Sequence, residues 1–598
     1  MAIDLDALMA AAHQAAQACE YRLGNCSRIL HIGFFFDGVG RNIEQDAPAN
    51  RLSNIARLFR AYPALEDSLP DATFSKYYIS GLGTPFIETT AERLQVMMDK
   101  SLGSLLDDLK GKPVDMAKEA FQSSVEGASG KDVLKEMKNT LLTPKGRRGM
   151  LKASAVNALK RVSIEATPWL RDSEFMAWHF TTGVDTRLNS AKARFKLSFE
   201  EAVKSGEVPV RLISVSVFGF DMGGTLARQF LDVLLGEICD KKTSGKPAFR
   251  GVPVDIVFAG LFDCSRDTPE SSDNGLDYAA AAASWLPGPV TKTAGTVGSL
   301  FGRKYLEHMS PLPEAVKKSL HLVAAHERRR WRCVYRTGRE GFEHQEVLMP
   351  GCSEDIGGGL KPDEQKPSAE LCRVALRKMY VEAMKAAVPF PNFSTLYQTD
   401  RLVWSYFDLS DSVENQSAGQ WVSRYQEAIP DTSLRYRAMN QHLDSYFEWL
   451  GTQHYEYKRE LRRLESIQTG ILASAGASMG LVGITPRARQ AADEVADELR
   501  ILKKHWGWLS DVANAGNLLL TRQLHNPPQM FMENIHKPAC ARASHFIECG
   551  TAGFDGKPLP MMWYSAPAAL YAWFVHDVQR AEGINDGYFS VRWIEPRE

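Results

Sequence analysis

The stretch VPVRLISVSVF at 208–218, followed at once by GFDMGG at 219–224, decides how the chain is read. Val210, Leu212, Val215 and Val217, in a run rich in β-branched residues, spell a buried strand. Beyond the glycines, Leu226, Phe230, Val233 and Leu234 fall on one face of a helix. Between them stands G-x-D-x-G, the spacing of a nucleophile elbow. That sharp strand-to-helix turn leaves no room for side chains beside its central residue. Gly219 and Gly223 meet the requirement, and Asp221 takes the centre at a helix N-terminus, where amides and dipole favour negative charge.

Outward from the elbow the pattern repeats. RILHIGFFF at 28–36 is an apolar run that stops at Asp37-Gly38-Val39-Gly40, and Tyr77-Tyr78-Ile79 leads into the glycine loop at 80–85. VPVDIVFAGLF at 252–262 ends at Asp263, and a shorter strand is expected over Glu346–Met349, before the loop CSEDIGGG. Strands alternating with helices predict an α/β fold with a mainly parallel sheet, α/β-hydrolase-like, whose functional residues gather at the carboxyl ends of the strands.

The remaining text divides the chain. Residues 1–27 read as an amphipathic helix, and 28–365 as the α/β core, interrupted at about 88–202 by an amphipathic helical insertion. Residues 366–527 read as a helical lid or membrane-facing region. Residues 528–598 return to the core through the strand-like YFSVRWI at 588–594.

Composition narrows the function classes. With 598 residues, 44% hydrophobic and 24% charged, the chain can bury large cores and has the make-up of a globular protein. A net charge of −1 gives no global attraction for nucleic acid, and no such partner is expected. Nine scattered cysteines without a CxxC pair suggest reduced thiols rather than a disulfide framework. Asp4 and Asp6 stand where a signal peptide needs positive charge, and no run of about 18 apolar residues suggests a spanning helix.

The chemistry centres on Asp221. A carboxylate attacking an ester carbonyl would form an anhydride, so serine-type acyl transfer is not inherited. Aspartate is a competent nucleophile at saturated carbon, or a general base on water. The plain alternative is a helix cap. Asp263, at a strand end, is placed to orient a histidine. Among His321, His326, His344, His536, His545 and His576, His326 is the chosen base, although the Glu327-Arg328-Arg329-Arg330 run after it reads as a solvated face. Oxyanion donors would be the Met222 amide, with Gly223 beside it, and an amide of the 37–39 loop such as Gly38. The loop Gly351–Gly359 carries Glu354 and Asp355, but a calcium loop needs more oxygen ligands at regular spacing. Neither a metal nor a cofactor is expected.

FFFDGVGRN at 34–42, YYISGLGTPF at 77–86, VFGFDMGGTLAR at 217–228, GLFDC at 260–264, HLVAAHERRRW at 321–331 and MPGCSEDIGGG at 349–359, in this order, resemble one family. It is the type VI secretion phospholipase effectors, specifically the first lipase-effector family and its uncharacterised α/β-hydrolase relatives. The resemblance covers about residues 28–360. It implies cleavage of phospholipid or other esters, synthesis in the cytoplasm, and delivery without a signal peptide to a target bacterium's periplasm. A secretion spike or adaptor, an immunity protein and a phospholipid or membrane surface are the implied partners. Members show GFSRG at the elbow and a histidine in a loop similar to G-x-H-S-D-x-G-G-G. Here Asp221 stands at the serine position and Ser353 at the histidine position, while Asp263 matches the acid. Three readings follow: a phospholipase-like effector, a catalytically dead binding module, or an aspartate-nucleophile hydrolase of the epoxide-hydrolase type.

Overall fold

The computed structural model describes residues 27–86, 183–205, 208–241, 246–266, 310–329, 332–339, 341–477, 486–523, 535–551 and 565–595. The helix expected at 1–27 and most of the insertion expected at 88–202 lie outside them. The α/β core runs β1 (Arg28–Phe36), α1 (Asn54–Ala61), β2 (Ala72–Ile79), α2 (Val184–Ser205), β3 (Val210–Phe220), α3 (Met222–Val233) and β4 (Val252–Phe262). It continues through β5 (Ser265–Arg266), β6 (Ser319–Ala324), β7 (Cys333–Tyr335), β8 (His344–Met349), α4 (Ser353–Gly357) and α5 (Leu371–Lys385).

The main sheet has the order β8-β6-β4-β3-β1-β2, and every one of these pairings is parallel, as the alternation of strands and helices requires. Strand periodicity sends successive side chains to opposite faces. Leu30, Ile32, Phe34 and Phe36 of β1 join Val215 and Val217 of β3 against α2 and α3. Phe35 stacks on Phe218 on the other face, in a core shared with α1 and α5. The elbow therefore projects from a sheet clamped on both sides.

Four sequence expectations need adjustment. The elbow strand runs two residues further, to Phe220. The segment HLVA, not anticipated as a strand, is β6, sealed on both faces. The loop at 351–359 contains the short helix α4. The expected strand at 588–594 is reduced to β9 (Ile594–Glu595), because its neighbours bond through side chains and turns rather than a ladder.

A second, three-stranded sheet has β7 at its centre, antiparallel to β5 and parallel to β9. The region after α5 is mainly helical, with α6 (Ala418–Ala428), α7 (Tyr436–Ala477), α8 (Pro486–Trp506), α9 (Trp508–Gln523), α10 (Lys537–Thr551) and α11 (Ala566–Trp573). Among the described residues no helix is long and apolar enough to cross a membrane.

Candidate functional site

The turn after β3 has the geometry its glycines imply. A Cβ on Gly219 would lie 2.5 Å from Gly224 Cα, and one on Gly223 would lie 2.3 Å from the Asp37 carbonyl oxygen. Neither fits, so the elbow is sterically closed to other residues. Asp221 pays with an unusual backbone, φ 54° and ψ −129°, a region that non-glycine residues enter only where the surroundings enforce it. Enforcement comes from its N–H donating to Phe262 O at 3.1 Å, and from its carbonyl accepting from Gly224 N at 3.0 Å and Ser265 N at 3.2 Å.

The side chain does not cap α3, so the plain alternative for Asp221 is set aside. It is buried, 2% exposed, and accepts a short hydrogen bond on Oδ1 from the Ser265 hydroxyl. Arg332 Nη2 lies 3.8 Å from Oδ2. Both partners arrive through the small sheet: Ser265 opens β5, and Arg332 immediately precedes β7.

Arg332 also links the elbow to the start of α4. Its Nη1 donates to Ser353 Oγ at 3.1 Å and lies 3.9 Å from Glu354 Oε1. One guanidinium thus spans Asp221 and Ser353. Glu354 is further held by Arg329 at 2.7 Å, and Arg329 in turn grips Glu327 at 2.5 Å. Burial works against both carboxylates, but the two arginines hold their pKa values below the ordinary range.

Asp263, at the end of β4, also has positive φ and no exposed surface. Arg592, two residues before β9, binds it with two nitrogens, Nη1 at 2.9 Å from Oδ2, while Ala324 N donates to Oδ1 at 2.9 Å. Burial raises the carboxyl pKa, but Arg592, with the Ser353 hydroxyl, brings it below the usual value. The acid that would orient an imidazole is instead one half of a buried ion pair.

The structure thus brings Asp221, Asp263 and Ser353 into one buried cluster and sends His326 elsewhere. His326 Nδ1 accepts from Gly351 N at 2.8 Å, and its Nε2 lies 3.4 Å from the Tyr425 hydroxyl. Neither nitrogen touches Asp221. Burial keeps the ring neutral, well below its ordinary pKa. Arg328 and Arg329, read as part of a solvated face, are buried because each has a carboxylate to pair with: Arg328 lies 2.6 Å from Asp577 and also stacks over Tyr588, and Arg329 holds Glu327 and Glu354. His576 lies beside α4, its Nδ1 2.6 Å from Asp355 Oδ1. Burial alone would lower its pKa, yet the Asp355 carboxylate raises it above the ordinary value.

Of the expected oxyanion donors, Gly38 N is taken by the Asp37 side chain at 2.8 Å. Among the described residues no hydrogen bond engages the Met222 amide. Gly223 serves the turn through its close approach to Asp37. No group of three or more potential metal ligands occurs among the described residues.

Sequence reasoning missed Ser265, Arg332 and Arg592. Only Ser265 carried a signal, its place just past the end of a core strand.

No protein-family model and no curated protein matches the chain. Among solved structures, an uncharacterized protein from Pseudomonas aeruginosa superposes with a TM-score of 0.51 at 16% identity, covering 99% of this chain and 82% of the other. The Tle1 effector bound to the VgrG spike of the Type 6 secretion system gives a TM-score of 0.31 at 15% identity, covering 64% of this chain and 78% of that one. The first of these likenesses is one of fold: the chain is an α/β protein with a mainly parallel sheet and helical additions.

Proposed function

We propose that this protein is a phospholipase-like effector of the type VI secretion kind, hydrolysing phospholipid or other esters, with the elbow carboxylate Asp221 acting as a general base. The observation that carries the reading is that Asp221, at the strained turn, accepts a hydrogen bond from a hydroxyl, Ser265. A carboxylate in contact with an O–H is in the geometry of a base. The six linked sequence motifs support the effector assignment, and with it production in the cytoplasm, export on a secretion spike or adaptor, action at a target periplasmic membrane, and an immunity protein. The aspartate-nucleophile route has less support, since an ester formed on Asp221 needs an activated water and, among the described residues, no imidazole bonds this carboxylate.

The test is fatty-acid release from phosphatidylethanolamine–phosphatidylglycerol vesicles by the full chain and by Asp221→Asn. Release by the native chain and its loss in the variant are expected; equal release from both ends the reading. A second reading, a non-catalytic module that binds lipid, is favoured by one observation: Asp263 is paired with Arg592 and, among the described residues, bonds no imidazole. Vesicle binding with no released fatty acid would establish it in place of the first.

A further inference from the structure

We infer that the nucleophile has moved from the elbow to Ser265, with Asp221 as its base. This deepens the general-base reading and rests on it. The two side chains are joined directly, Ser265 Oγ–H to Asp221 Oδ1, and two further bonds hold the pair in register: Ser265 N donates to Asp221 O at 3.2 Å, and the Thr225 hydroxyl donates to Ser265 O at 2.7 Å. Thr225 lies in the first turn of α3, so the elbow helix itself sets where Ser265 sits. Cys264, the residue between acid and serine, is pressed against Gly224, where a Cβ would lie 2.8 Å from its Sγ, so β5 cannot slide along the elbow. Ser265 thereby occupies the carboxyl end of the sheet, where an α/β fold presents its chemistry.

The chemistry balances with water as the only co-reactant. Ser265 Oγ attacks the ester carbonyl carbon, and its proton passes to the Asp221 carboxylate. Collapse breaks the ester C–O bond, and the departing alkoxide takes the proton from Asp221. Water, deprotonated by Asp221, then attacks the acyl-Ser265; the fatty acid leaves and Ser265 recovers its proton. Arg332 sets its guanidinium 3.8 Å from the other carboxylate oxygen of Asp221. Ser265 is fully buried, so substrate reaches it when β5 parts from β7, a ladder of only two residue pairs, Ser265↔Val334 and Arg266↔Cys333. Such parting is a closure-type motion of the kind that gates many active sites.

The experiment treats the full chain with a long-chain fluorophosphonate in the presence of phosphatidylethanolamine–phosphatidylglycerol vesicles. Digestion and mass spectrometry then map the adduct, and fatty-acid release is measured in parallel. An adduct on Ser265, and a loss of release of about a thousand-fold or more in Ser265→Ala, are expected, since partners acting as a unit fail together. Ser265→Cys, close in volume, should keep the native thermal melt and lose fluorophosphonate labelling. Release that survives Ser265→Ala but falls in Asp221→Asn overturns the nucleophile and leaves Asp221 as a base on water. Absence of both label and release from the native chain overturns this inference and the hydrolase reading together.

Discussion

His326 and Arg332 belong to the same loop, yet they enter two different buried polar clusters. Arg332 joins Asp221 and Glu354 and bonds the Ser353 hydroxyl, with Arg592–Asp263 alongside: a cluster of paired charges. His326 joins Tyr425, His442 and Tyr571, a neutral set in which Tyr425 OH lies 2.6 Å from His442 Nδ1 and the His326 ring packs edge to face on the other three. The difference shows how an interior can hold polarity. A charged cluster tolerates desolvation only while every partner is present, whereas a neutral one depends on single hydrogen bonds and on its histidines staying unprotonated.

The largest effect should come from breaking one ion pair. Arg592→Met strands the Asp263 carboxylate without its cation, and a loss of about 3–5 kcal/mol is expected by urea unfolding. Replacing both partners, Asp263→Leu with Arg592→Met, should cost less than Arg592→Met alone; a double variant as unstable as the sum of the singles would show that the two residues do not act as a pair.

Acid should then separate the clusters. Burial lowers the His442 pKa to about 4, so its contribution is fully present above the ordinary histidine value of 6.5 and is lost as pH falls towards 4. The loss amounts to at most about 3 kcal/mol. Asp263, Glu327 and Glu354 are lowered from ordinary carboxylate values, so their contribution persists to below that range. Other groups add to the whole-protein profile: His31 and His454, also near 4, in the same sense as His442, and Asp37, raised to about 6 by burial, in the opposite one. The difference between native protein and His442→Asn isolates the one residue. A stability–pH slope between 6.5 and 4 unchanged by that substitution would contradict the neutral-cluster account.

The smallest effect is expected for Tyr425→Phe, which removes the partner of His442 Nδ1 and should cost about 1–2 kcal/mol without altering fatty-acid release. A matching fall in release would tie the aromatic cluster to the elbow.

Much of the frame was legible from the chain: the strands on either side of the elbow, the glycines that the turn demands, and Asp221 and Asp263 at strand ends. Each rests on local pattern, where burial and backbone sterics act over a few residues. His326 misled because a histidine beside a run of arginines has no local feature that says whether the run faces water. Arg592 was invisible, lying 329 residues from the carboxylate it pairs with.

The sequence by itself determined that a buried strand ends in a glycine-flanked acid at a helix N-terminus, because side-chain period and the absence of a Cβ are properties of the residues in order. Only the tertiary structure decided what that acid touches. The partners are brought by β5, β7 and the segment before β9, three short pieces whose pairing is set by long-range packing, and the pairing of a buried charge depends on which groups share its cavity rather than on which precede it in the chain.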